Sequence, residues 1–227
     1  MNILTEPDFT SAVLITIDTQ RDTLDGQPME VPGTSTVLPN ISRLLHVFRA
    51  LERPVIHMVR IYEPDGSNVD ICRRDDVEKG RAILLTDSDG SQIASSLLLP
   101  ETRLDSRRLL SGRVQAISDH EVIIYKPRWG AFFGTPLQKH LESVTASTLI
   151  FTGCNFPNCP RTSIYQASER DYRIVMVTDA ISGRRVSRAG CNMCRWSGGC
   201  FPAAGSRRLC RASRGPRRLP FPAARLH

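Results

Sequence analysis

Long apolar runs are missing from this sequence. The most continuous ones, such as AVLITI (12–17) and TLIFTG (148–153), are strand-sized. A membrane helix needs about 20 apolar residues, so no membrane partner is expected. The opening MNILTEPDFT places no basic region ahead of an apolar stretch, which argues against a secretory leader and for a cytoplasmic chain. Cys72, Cys154 and Cys159 are the cysteines before residue 184, an odd number. Without a leader they are expected to be reduced, as packing residues or reactive thiols.

Acidic residues are absent from positions 184–227, which hold 11 Arg and no Lys. Positions 1–183 hold all 23 acidic residues against 16 Arg and 3 Lys, a net of −4, so the overall +7 belongs to the tail alone. A basic partner-binding body is therefore excluded, and nucleic acid is not the expected ligand. Arg, Ala, Gly and Pro supply 26 of the 44 tail positions. Such a segment cannot bury enough apolar area to offset chain entropy, and disorder is expected. Cys191 and Cys194 have a zinc-like spacing, but Cys200 and Cys210 do not repeat it, and we read it as accidental. The tail is read as an out-of-frame translation rather than a functional basic arm. Residues 1–183 are read as one domain.

What is present before residue 184 alternates regularly. AVLITI suits a strand buried on both faces. Apolar side chains at Val37, Leu38, Ile41, Leu44, Leu45, Phe48 and Leu51 predict a helix with one buried stripe. The strand PVIHMVRI follows from Pro54. Residues 63–120 are polar and broken by glycines, with one short helix expected near 92–99. Then come the strand EVIIYK (121–126), a helix near 136–143, the strand TLIFTG, a helix from about 159 to 170 and the strand YRIVMVTDA (172–180). Strands alternating with helices predict a doubly wound, mostly parallel α/β sheet with helices on both faces, Rossmann-like in outline. In such sheets the chemistry sits at the carboxyl ends of strands.

Three charged or nucleophilic residues fall at such ends. Asp18 closes the first strand, where an unpaired carboxylate is costly and a charged partner is expected. Lys126 closes EVIIYK. Cys159 follows the loop CNFPN and precedes Pro160, so its thiol is expected at a helix N-terminus, where the dipole stabilises a thiolate and lowers its pKa. Each has a plainer reading: a turn aspartate, a surface lysine, an inert buried cysteine. The coincidence of three strand ends favours the chemical reading.

Three motifs then carry a resemblance: ITIDTQRD, YKPRWGAFFGTPL and FTGCNFPNCPRTSIYQASERDYRIVMVTDAIS. Over about residues 8–183 the chain resembles the isochorismatase-like cysteine hydrolases, which include nicotinamidases, N-carbamoylsarcosine amidohydrolase and isochorismatases. The resemblance implies an Asp18–Lys126–Cys159 triad and a cis peptide between Cys154 and Asn155, aiming the Asn155 and Cys159 amides at an oxyanion. It also implies a small amide or ureido substrate and a homo-oligomer, dimer or tetramer. Gln20, Trp129, Phe132 and Phe156 are expected at the substrate pocket, with core packing an equal reading for Phe132. Nicotinamidases bind a metal through an Asp and two His. No Asp-x-His pattern follows Asp22, and His46 and His57 read as structural, so neither metal nor cofactor is expected. The function implied is hydrolysis of a C–N bond through a thioester. Alternatives are vinyl-ether hydrolysis, or a non-catalytic protein whose basic tail binds nucleic acid or an acidic partner.

Overall fold

The apolar runs become the centre of a twisted sheet because their alternate residues feed two cores. The computed structural model describes residues 4–183 and 200–201. Its strands are β1 (Ala12–Ile17), β2 (Val55–Val59), β3 (Gln115–Ser118), β4 (Glu121–Tyr125), β5 (Thr148–Gly153), β6 (Arg173–Ile181) and β7 (Cys200–Phe201), in the order β3-β4-β2-β1-β5-β6-β7. Only β3 runs antiparallel, against β4. On one face Ala12, Leu14, Ile150, Val175 and Val177 meet the stripe Val37, Ile41, Leu44, Leu45 and Phe48 of α1 (Thr34–Ala50). On the other, Val13, Ile15, Ile17, Leu149, Phe151 and Met176 meet α4 (Leu137–Ser143) and α5 (Cys159–Ser168). A strand sandwiched this way has no polar face to show, hence the unbroken runs.

Residues 63–120 hold more structure than the sequence suggested. They form α2 (Ile71–Glu78), α3 (Ser106–Leu110) and β3, while the helix expected near 92–99 is reduced to a single 3-10 turn at Ser95–Leu97. Asp22 anchors this excursion: Oδ2 accepts from the Leu84 amide at 2.6 Å, and the Asp22 amide donates to Gly90 O at 3.0 Å. The expectation of disorder across 184–227 is corrected at two positions, where Cys200 and Phe201 pair in parallel with Met176 and Val177. Cys191 and Cys194 lie outside the described residues. Among the described residues, no helix is long and apolar enough to cross a membrane.

Candidate active site

The parallel sheet delivers four loops to one edge, and the site is built where they converge. β1 ends in Asp18, whose amide donates to Met58 O at 3.0 Å. Its φ of 51° turns the chain sharply out of the strand, a left-handed conformation that a non-glycine residue adopts at some cost. The Asp18 carbonyl accepts from Thr23 Oγ1 at 2.9 Å and Cys154 Sγ at 3.0 Å. β4 ends against Lys126, whose side chain is fully buried and whose Nζ lies 2.8 Å from Asp18 Oδ2. A buried lysine is stable only with a counter-charge, and Asp18 supplies it. The other Asp18 oxygen, Oδ1, is buried with no hydrogen-bond partner.

β5 ends at Gly153, where φ is 112° and a Cβ would lie 2.1 Å from Ile17 O. Only glycine lets the strand pass that close to β1 before the Cys154–Asn155 peptide, which is cis, as the resemblance implies. The loop is clamped from β6: Phe156 N donates to Ser182 O at 2.9 Å, and Ser182 N donates to Gly153 O at 3.0 Å. It delivers Cys159 as the first residue of α5, with Pro160 next. There the Cys159 amide has no intrahelical acceptor.

Asp18, Cys154, Asn155, Asn158, Cys159 and Trp129 line one small cavity of about 20 Å³, space for about one water. Asp70 and Trp129 also border a wider, largely apolar groove of about 610 Å³, with Ile71, Phe133, Arg74 and Arg128 on its walls. The expected lowering of the Cys159 pKa is corrected: burial pushes the thiol up to about 11, and Asp18 pushes the same way, against Lys126 and Arg60. Desolvation and the neighbouring carboxylate outweigh the two cations. Burial, aided by Asp18, holds Cys154 at about 12, so both resting thiols are neutral.

Three expected pocket residues lie elsewhere. Gln20 is fully buried and bonded to backbone, donating to Arg60 O and Ser91 O at 2.6 Å and accepting from Arg60 N at 2.8 Å. Phe132 packs in the core against Tyr172, with ring centroids 6.2 Å apart, and carries Arg170 over its face. Phe156 is likewise a core residue. His57 is buried inside the sheet, with Nε2 2.7 Å from Glu121 Oε1 and Nδ1 2.7 Å from Thr16 Oγ1. Among the described residues, no group of three or more His, Cys, Asp or Glu is arranged to hold a metal.

Arg60 and Asp70 were missed by sequence reasoning. Arg60 follows β2 and lines the small cavity beside Cys159 with its Asp70 partner. A signal existed, because PVIHMVRI, like the other two strands, runs into a charge at its carboxyl end.

A family model, the isochorismatase domain, matches residues 12–190. The chain is 25% identical over 173 residues to a protein of Arabidopsis thaliana named a probable inactive nicotinamidase, covering 75% of this chain and 80% of that one. It is 29% identical over 168 residues to N-carbamoylsarcosine amidase of Arthrobacter sp, covering 71% of this chain and 55% of that protein. The crystal structure of an isochorismatase family protein from Desulfovibrio vulgaris superposes with a TM-score of 0.73 at 28% identity, covering 88% of this chain and 98% of that one. With the domain match spanning most of its length, the chain belongs to the isochorismatase family.

Proposed function

We propose that this chain hydrolyses a C–N bond, amide or carbamoyl, of a small molecule through a thioester on Cys159. The observation that carries the reading is the buried Asp18–Lys126 pair beside a buried thiol, with Asp18 Oδ1 left without a hydrogen bond. That oxygen is free to take a proton. Asp18 accepts the thiol proton as Sγ attacks the carbonyl carbon, and the Asn155 and Cys159 amides hold the developing oxyanion. Protonated Asp18 passes its proton to the departing nitrogen. It then deprotonates the water that cleaves the thioester, and the proton returns to sulfur as the acid leaves. Lys126 supplies the buried counter-charge of the Asp18 carboxylate, 2.8 Å away.

The cavity beside Cys159 admits little more than the reacting group, so the body of the substrate lies in the adjoining apolar groove, against Trp129 and Phe133. The named amidase relative supports C–N rather than vinyl-ether cleavage, whereas the relative named probably inactive requires that turnover be measured directly.

The test is ammonia release from a panel of small primary amides, ureido acids and carbamoyl compounds, with Cys159→Ala as control. We expect turnover in the native chain and none in the variant. Turnover equal in both would sink the reading, as would silence of a folded native chain across the whole panel.

A further inference from the structure

The triad leaves one charged group at the nucleophile without a task. Arg60 is buried, and its guanidinium is held from several sides. Gln20 clamps its backbone through both N–H and C=O. Nη1 donates to Asp70 Oδ2 and, at 3.5 Å, to Pro127 O. Asp70 is itself fixed by Tyr62 Oη at 3.3 Å and Cys72 Sγ at 3.2 Å, while the Tyr62 ring lies 6.0 Å from the guanidinium carbon. With Nη1 committed, Nη2 is directed at Cys159 Sγ, 3.8 Å away. A guanidinium needed only to neutralise Asp70 would present both arms to the carboxylate, as arginine commonly does.

We propose that Arg60 is a catalytic residue, the hydrogen-bond donor that holds the Cys159 sulfur as a thiolate whenever the reaction makes it one. The inference rests on the thioester reading and adds a division of labour to it. Lys126 is bonded to Asp18 and serves the base; Arg60 serves the sulfur. In the resting state the neutral thiol is a weak acceptor and gains little from Nη2. As the proton passes from Sγ to Asp18, the sulfur becomes an anion in a dry site and the Nη2–H contact becomes a charge-assisted hydrogen bond. The contact weakens as the C–S bond consumes that charge. It reforms when the tetrahedral adduct of water and thioester expels the sulfur, before Asp18 returns the proton. The contribution is thus largest in the high-energy states, the condition under which an interaction accelerates a reaction.

The other groups facing the sulfur do not duplicate it. Asp18, after β1, disfavours the anion; Lys126, after β4, favours it but is bonded to Asp18; Cys154, in the loop after β5, is neutral. Arg73 lines the same cavity, its amide donating to Asp70 O at 2.9 Å.

The test reads the sulfur directly and needs no substrate. Alkylation of Cys159 by iodoacetamide is followed between pH 6.5 and 9.5 by mass spectrometry of the peptide that contains it. The proteins compared are the full native chain, Arg60→Lys, and Arg60→Gln combined with Asp70→Asn so that no buried charge is orphaned. Alkylation is expected to slow at least tenfold in the double variant and by less in Arg60→Lys. Loss of fold would expose the thiol and speed alkylation, so a merely damaged protein moves the opposite way. Alkylation unchanged or faster in a double variant with native circular dichroism overturns the proposal. On any amide the native chain turns over, kcat should fall with little change in KM. Unchanged kcat would overturn the role of Arg60 while leaving the hydrolase reading intact. No turnover in the native chain, with slowed alkylation in the variant, would instead remove the hydrolase reading and leave Arg60 as a thiolate donor.

Discussion

Burial and Asp18 together keep the Cys159 proton in place until a base removes it. With the thiol held at about 11, mainly by burial and next by the Asp18 charge, spontaneous ionisation near pH 7 is rare, and the proposed reaction requires proton transfer to Asp18 to accompany attack. Asp18→Asn separates these two influences of one carboxylate. Asparagine tolerates the left-handed φ of 51° at that position, so the backbone turn survives. Removing the anion removes one cause that raises the thiol and leaves the Lys126 cation facing it without a counter-ion, so the Cys159 pKa falls. Hydrolysis, deprived of its base, should drop by on the order of a hundredfold or more. The variant is therefore expected to alkylate faster than the native protein at pH 8 while turning over far more slowly. If both rates fell together, Asp18 would be acting on the position of Cys159 and not on its proton.

At the scale of elements, one polar network ties the sheet to its covering helix. Glu121, at the start of β4, accepts from Arg49 of α1 through Nε at 2.7 Å and Nη2 at 2.6 Å, and pairs with His57 of β2 at 2.7 Å. Burial works against its charge, yet the Arg49 and His57 contacts bring its pKa down to about 2. A carboxylate depressed on folding stabilises the fold above its unfolded pKa of about 4.5 and loses that contribution as pH falls through the folded value. The contribution is on the order of 3 kcal/mol at neutral pH, and it disappears between about pH 5 and 2. Glu121→Gln should lower the melting temperature at pH 7 and flatten its acid limb, measured by calorimetry from pH 7 to 2.5; an unchanged acid slope would contradict the assignment. Elements of this kind were legible where burial imposed a pattern. Both-face burial wrote β1, β4 and β5 into unbroken apolar runs, and the stripe Val37 to Phe48 gave α1. α2 was invisible because ICRRDDVE contains no buried residue, and α3, five residues long, is too short to show a period. At the site, Asp18, Lys126 and Cys159 were readable because chain direction fixes which strand ends converge. The misplacement of Gln20 and Phe156, and the open choice at Phe132, have another cause: whether a side chain turns to cavity or core depends on rotamer and neighbours, which spacing does not encode.

The whole molecule raises the question of how far the chain must run for the site to stand. Every residue to which chemistry is proposed precedes residue 183, yet the loop that carries Cys159 is held from the far end of β6. Ser182 O receives the Phe156 amide, Ser182 N binds Gly153 O, and Ser182 Oγ lies 3.0 Å from Thr34 Oγ1 at the start of α1. β6 is in turn covered along its outer edge by β7, which sits within the arginine-rich tail. Two truncations separate these dependencies. A chain ending at residue 201 removes 7 of the 11 tail arginines but keeps β7; a chain ending at 183 removes β7 and bares the edge of β6, an invitation to association. A two-residue pairing carries only a few hydrogen bonds, each worth about 1 kcal/mol, so the shorter chain should melt lower by roughly 2–8 °C and self-associate more, by calorimetry and light scattering. Because Ser182 directly follows β6, fraying of its edge reaches the loop that carries Cys159. Hydrolysis by the shorter chain should therefore fall further than its loss of folded protein explains, whereas the chain ending at 201 should keep native turnover per folded molecule. Equal melting of the two truncated chains would mean that β7 adds nothing to the sheet, and that β6 is fixed from its β5 side alone.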